Sequence, residues 1–419
     1  MAGPASESAG APARRRILFV SEAITLAQVV RLVSLARTLD PRRYEIHFAS
    51  GAFSERIFRP DEFHRWPLFT VSGPRALKRL DRGGRLYSRR VLTRYVDADR
   101  EVIRQVSPHL IVGDMRWSLA VSAPLEGIRF ATLANAYMSP LYQRDGFPLP
   151  DHAIVALLGE TLAAKYFPRA LPAVFDWFAR PLNQLRVRHG LTSIGSLLDV
   201  LAFGDFTLYA DIPELMNMSA LPDRHLFLGQ VPWSPSDALP GDWGADPTRA
   251  PIYVTVGSSG DLRLLPRILQ ALAPLRVDVL VATADRISAT LAGAPARSGA
   301  VEARVHVRPF VSGAEAAARA RLVISNGGST TGYQALAAGC PVLGLPHNLE
   351  QHLAMEPIVA AGAGVSISAR NAHPDAIRQV VARLLADEAT AIGARAVARR
   401  FATHDYATTF PSFVESVVP

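Results

Sequence analysis

The chain has 419 residues, 49% of them hydrophobic and 20% charged, which suits a folded protein with two domain-sized cores and excludes a disordered or fibrous one. Its single cysteine, Cys340, excludes an intramolecular disulfide and a cysteine metal cluster, so a reducing, cytoplasmic setting is expected. The net charge of +8 is carried almost wholly by arginine, the only lysines being Lys78 and Lys165; arginine-biased coding, a nucleic-acid partner and an anionic membrane surface all remain open explanations.

The chain opens on Ala, Gly, Pro and Ser and reaches Arg14-Arg15-Arg16. Residues 1–15 are expected to be a disordered tail: no signal-peptide apolar run follows, and no stretch reaches the ~20 apolar residues of a bilayer span. Strand, helix and strand then follow over Ile17–Val20, Leu26–Leu39 and Tyr44–Ala49, with further strands at Leu110–Val112, Phe130–Leu133, Phe206–Tyr209 and Leu226–Leu228. From Arg75 to Arg104 there are ten basic residues, several at helical spacing with an apolar complement. This reads either as a solvated helix face or as a basic amphipathic helix making peripheral contact with a membrane. Tyr142, Phe147, Tyr166, Phe167, Phe175, Trp177 and Phe178 crowd the stretch from Tyr137 to Leu201; they read as helix packing or as an apolar acceptor pocket.

Val231 to Pro251 is rich in Pro, Gly, Asp and Trp and reads as an interdomain connection centred on 236–250. Beyond it, strands at Ile252–Val256, Val277–Ala282, Val305–Val307, Leu322–Ser325, Val342–Leu345 and Gly364–Ile367 enclose helices at Leu262–Ala273, Gly313–Ala320, Thr331–Ala338 and Glu350–Ala361. Alternation with fully apolar strands predicts a parallel sheet covered on both faces, with ligands at the C-terminal strand ends.

The densest chemical signal is strand Leu322–Ser325 running into Asn326-Gly327-Gly328-Ser329-Thr330-Thr331 and a helix. Paired glycines admit close approach of a ligand, and a helix N-terminus offers unpaired N–H groups to phosphate. A Gly-rich turn with hydroxyl caps is the plainer alternative.

Asn326–Thr331, Gln334, Ala338-Gly339-Cys340-Pro341 and Pro346 through Glu350-Gln351 together resemble the donor signature of the UDP-glycosyltransferase-like family. Weaker similarity covers most of the chain, including Gly257-Ser258-Ser259 and Leu226 to Trp233. The resemblance implies an α/β protein of GT-B fold, two doubly wound Rossmann-like domains whose parallel sheets face across a cleft. Residues 16–235 would bind the acceptor and 251–393 the nucleotide sugar, with 394–419 returning to the first domain. Donor-binding roles then fall to Gly327, Gly328, Ser329 and Thr330, with Ser258 and Ser259 opposite, all at the diphosphate. Gln334 would meet the ribose, Glu350 and Gln351 the sugar hydroxyls, and backbone near Arg308 to Val311 the base. Partners would be a nucleotide sugar and a small-molecule or lipid acceptor, with no nucleic acid, cofactor or metal.

Two departures stand out. The family's phosphate-turn histidine is Asn326 here, which cannot carry charge. Its catalytic histidine has Gln28 in its place, and an amide is no general base. The catalytic candidates are therefore Asp114 and Glu22, both just past strands, with Gln28 in the family's slot. Asp97-Ala98-Asp99 lies within a predicted helix and is set aside as a metal motif. The reading is an inverting glycosyltransferase; the rivals are an epimerase or lipid-intermediate transferase on the same scaffold, and a degenerate nucleotide-sugar-binding partner protein.

Overall fold

The computed structural model describes residues 13–149, 155, 159–257, 260–286 and 302–418. Two parallel sheets organise them. The first runs β3-β2-β1-β4-β5-β6-β7, from strands β1 (Arg15–Ser21), β2 (Tyr44–Ser50), β3 (His64–Pro67), β4 (Leu110–Asp114), β5 (Phe130–Ala134), β6 (Phe206–Tyr209) and β7 (His225–Phe227). The second runs β10-β9-β8-β11-β12-β13, from β8 (Ala250–Thr255), β9 (Val277–Ala282), β10 (Arg304–Arg308), β11 (Leu322–Ser325), β12 (Val342–Gly344) and β13 (Gly364–Ser366). Both orders reverse direction beside their first strand, which opens a crevice at the C-terminal strand ends.

In the first domain the helices are α1 (Leu26–Ala36), α2 (Gly73–Asp81), α3 (Arg89–Val106), α4 (Leu119–Leu125), α5 (Glu160–Arg188) and α6 (Leu197–Leu201). In the second they are α7 (Leu264–Leu272), α8 (Gly313–Arg319), α9 (Ser329–Ala337), α10 (Leu349–Ala360) and α11 (Pro374–Ala386). They are followed by α12 (Glu388–Phe401) and α13 (Tyr406–Val417). Apolar strands have apolar helices on both faces: Ile17, Phe19 and Val112 pack with α1, while Leu18, Val20 and Ile111 pack with α3. Phe410, Phe413 and Val414 of α13 join the core around Phe19, so the end of the chain packs on the first sheet.

The structure departs from sequence expectation in three places. Strand β3 was not foreseen, because His64-Arg65-Trp66-Pro67 has no apolar run; it is an edge strand, half exposed. The basic stretch Arg75–Arg104 is not one helix. Gly83, at φ 71°, ends the α2 turn, and Ser88 caps a new helix by accepting the Val91 N–H at 3.3 Å. The Pro/Gly-rich connection is anchored rather than loose. Trp243 is fully buried and donates its indole N–H to the Asp278 carbonyl at 3.0 Å, while the Asp278 carboxylate accepts the Gly244 N–H at 2.8 Å. Among the described residues no helix is long and apolar enough to cross a membrane.

The two domains share an apolar cluster, with Tyr137, Tyr209 and Ile212 of the first packed with Tyr333, Leu353 and Met355 of the second. This brings the C-terminal strand ends of both sheets to one interface.

Candidate active site

The turn after β11 joins a strand to a helix N-terminus through two glycines, the arrangement expected of a phosphate cradle. Gly327 has φ 79°, and a Cβ there would lie 3.1 Å from Met355 Cγ and 3.4 Å from Pro346 Cβ; only glycine fits both the angle and the space. Its N–H donates to the Ser325 hydroxyl at 3.1 Å. Gly328 is the N-cap of α9, so the first N–H groups of that helix have no intrahelical acceptor and face the crevice with the positive dipole end. Asn326 is 4% exposed and turns its amide oxygen toward the Gly328 N–H, so it supports the turn rather than reaching out of it. The loop after β8 abuts it: a Cβ on Gly260 would come within 3.0 Å of Asn326 Cβ. Ser258 and Ser259, expected at the diphosphate, lie outside the described residues. Arg286 holds that loop, donating to the Gly257 carbonyl at 3.1 Å and the Gly260 carbonyl at 2.7 Å. It brings a cation beside a turn that has lost its histidine.

Of the expected sugar and ribose contacts, Glu350 reaches a side chain of the first domain. Its carboxylate accepts the Tyr137 hydroxyl at 2.8 Å. Glu350 keeps an exposed flank, but its carboxyl end lies in the closed part of the interface, where burial raises its pKa against the pull of the Tyr137 bond and of Arg31. Gln351 is 1% exposed, and its oxygen accepts the His347 N–H at 3.1 Å. The Gln334 amide donates to the Trp233 carbonyl and, at 3.3 Å, to the Ser234 hydroxyl. In this state both glutamines hold loops. Thr330 sits in the first turn of α9.

On the acceptor side Gln28 is the third residue of α1, and its side-chain oxygen accepts the Thr25 N–H at 3.1 Å in a capping box. Here its side chain caps the helix, and an amide is no general base.

Asp114, at the end of β4, is fully buried. Both its oxygens are held by Arg31 of α1, Nε at 3.0 Å and Nη2 at 2.9 Å. Burial pushes the Asp114 carboxyl up to about 6 against the pull of Arg31. For Arg31 burial opposes the charge, but Asp114, Tyr137 and Asp211 together outweigh it and the guanidinium pKa rises. Arg31 Nη1 donates to Asn135 Oδ1 at 2.7 Å, and Asn135 Nδ2 to Asp211 Oδ1 at 3.3 Å. Asp211 is fully buried; it accepts the Ala136 N–H at 2.6 Å and, from the second domain, the Tyr333 hydroxyl at 2.5 Å. Burial raises its pKa too, against those bonds. A polar chain Asp114–Arg31–Asn135–Asp211–Tyr333 thus crosses from one domain to the other.

Glu22 lies elsewhere. It accepts Tyr87 at 2.9 Å and Tyr95 at 3.2 Å, with Arg116 at 3.7 Å. Arg116 also pairs with Asp99 at 2.7 Å, which gives the second aspartate of the Asp97-Ala98-Asp99 motif a structural partner. Glu22 therefore ties α3 to the end of β1 beneath the crevice. Burial, outweighing Arg116 and the tyrosines, raises its pKa.

Sequence reasoning missed Arg31, Tyr137, Asp211 and Arg286. Arg31 had a signal, as a lone charge in the apolar run Leu26-Ala27-Gln28-Val29-Val30-Arg31-Leu32-Val33. Asp211 had the signal used for Asp114, an acid just past a strand. Tyr137 and Arg286 had none, since their role depends on contacts between distant segments.

Residues 267–415 match the family model of the erythromycin biosynthesis protein CIII-like C-terminal domain. The chain is 42% identical over 407 residues to a PGL/p-HBAD biosynthesis glycosyltransferase of Mycobacterium tuberculosis H37Ra, covering 97% of this chain and 92% of the relative. It is 44% identical over 376 residues to a PGL/p-HBAD biosynthesis rhamnosyltransferase of Mycobacterium bovis BCG, covering 88% and 81%. The spinosyn rhamnosyltransferase SpnG has a similar structure, with a TM-score of 0.69 at 18% identity over 96% of this chain and all of that one. The cradle after β11, the two doubly wound sheets and these relatives agree: the chain belongs to the UDP-glycosyltransferase-like family and is a glycosyltransferase of GT-B fold.

Proposed function

We propose that the protein transfers a sugar from a UDP- or TDP-linked donor to a hydroxyl of a mostly apolar small-molecule or lipid acceptor, with inversion at the anomeric carbon. The observation that carries this is the apposition of the α9 cradle and Glu350 with the buried Asp114–Arg31 pair of the opposite domain, bridged by Tyr137. The diphosphate would lie on the N–H groups of α9 near Arg286, so that helix and cation stabilise its departure. Glu350 would accept hydrogen bonds from sugar hydroxyls. Asp114, with a pKa raised by burial to about 6, would take the acceptor proton as the hydroxyl attacks C1 in line. Arg31, released from one carboxylate oxygen as the proton arrives, would face the new bond. One curated relative is named as a rhamnosyltransferase, which makes rhamnose the first donor sugar to try.

The test is Asp114→Asn. Transfer should fall by roughly a hundredfold to ten-thousandfold, the usual worth of a general base, while donor affinity stays within about twofold because the donor cradle is on the other domain. Unchanged turnover would remove Asp114 from the chemistry. A product that retains the donor's anomeric configuration would overturn the single-displacement reading.

A further inference from the structure

One surface of the first domain plays no part in the site above. Between Arg75 and Val96 the chain has eight Arg or Lys residues and one acid, Asp81. Arg89, Arg90 and Arg94, at the start of α3, join Arg188, at the end of α5, around an open depression of about 630 Å³. All four are exposed, and among the described residues none has an ion-pair partner.

Along its length α5, whose last turn lines this depression, shows an apolar stripe. Leu162 is 51% exposed, Tyr166 53% and Trp177 37%, and at 3.6 residues per turn the three share a face with Arg188. Lys165, Arg169 and Arg180 are exposed alongside. The guanidinium of Arg85 lies 4.2 Å over the Trp177 ring, joining stripe to basic patch.

The surface has a fixed relation to the crevice. Arg16, at the start of β1, donates to the Ser107 carbonyl at the end of α3. Tyr87, just before α3, and Tyr95, in its first half, bond to Glu22 just past β1. The arginine depression therefore lies at the C-terminal strand ends, the side on which Asp114 sits.

We infer that this surface docks the enzyme on an anionic lipid bilayer, with the acceptor side of the crevice toward the membrane. Unpaired guanidinium groups complement headgroup phosphates, and exposed Trp, Tyr and Leu at their edge suit the headgroup–acyl boundary. A nucleic-acid groove would share the charge and the aromatics, and the experiment below separates the two. The inference deepens the lipid-acceptor reading above and is tested without turnover, so failure of one is distinguishable from failure of the other.

The experiment is sedimentation of the full chain with vesicles of phosphatidylcholine alone and of phosphatidylcholine mixed with phosphatidylglycerol. Binding is expected to the anionic vesicles only and to fade as salt is raised. Arg89→Glu with Arg90→Glu should weaken it roughly tenfold or more, and Tyr166→Ala with Trp177→Ala should weaken it at all salt concentrations. Nucleotide binding should be unchanged in both variants, which shows that they are folded. Absence of binding to anionic vesicles by the native chain would overturn the inference. So would equal binding to neutral vesicles, indifference to the substitutions, or a preference for RNA that abolishes vesicle binding.

Discussion

Replacing Arg31 with methionine is the perturbation whose cost the structure specifies most closely. Arg31 is the partner of a carboxylate with no exposed surface, through bonds of 3.0 and 2.9 Å. Methionine has similar reach and no charge, so Arg31→Met leaves Asp114 buried and unpaired. Breaking a buried pair from one side costs about 3–5 kcal/mol when the remaining group is ionised. The pH dependence follows from the sign of the shift. Asp114 is already raised from 3.8 to about 6 with Arg31 in place; losing the one partner that lowers it raises it further. An acid whose folded pKa exceeds its unfolded one holds its proton more tightly when folded, so it destabilises the fold above the folded pKa and not below the unfolded one. The loss from Arg31→Met should therefore be near its full size at about pH 8 and shrink to about 1–2 kcal/mol at about pH 5, where Asp114 is protonated and only packing and the Asn135 bond are lost. Guanidinium unfolding of both proteins at the two pH values measures this. An equal loss at both, or none, would refute the pairing and the burial argument together.

Three further outcomes are expected. Gly327→Ala forces a side chain to φ 79° and 3.1 Å from Met355 Cγ; it should cost about 1–2 kcal/mol and abolish nucleotide binding measured by calorimetry, whereas retained binding would mean that the turn does not hold the diphosphate. Gln28→Ala removes a capping bond and should lower stability by about 1 kcal/mol with turnover unchanged; a large loss of turnover would restore Gln28 to the chemistry. Tyr137→Phe removes the hydroxyl that occupies Glu350 before a donor arrives. Donor affinity should rise roughly threefold to tenfold, the worth of one hydrogen bond, and a weaker donor would show instead that the tyrosine contacts it.

What was legible in the sequence was what local pattern encodes. Apolar runs such as Ile252–Val256 and the helical period of Leu26–Leu39 located most strands and helices, because parallel strands are buried on both faces. The turn after β11 was legible as well, since a strand, two glycines and a helix start need only neighbouring residues. Strand β3 was not, because an edge strand buries little and carries no apolar signature. The pairing of Asp114 with Arg31 was not either. Gln28 stood in the right slot of the motif, but its amide is taken by the Thr25 N–H one helical turn back. Arg31, three residues on in the same helix, reaches Asp114 at the end of β4, 83 positions away. The bridge from Tyr137 to Glu350 spans 213 positions and exists only once two domains meet.

The central claim, that the α9 cradle binds a nucleoside diphosphate sugar for transfer, is tested most directly by calorimetric titration of the native protein with UDP, TDP and GDP, followed by the rhamnose and glucose conjugates of whichever binds. The account predicts that UDP or TDP binds in the micromolar range and that its sugar conjugate binds more tightly through Glu350. Failure of every nucleoside diphosphate to bind would contradict it.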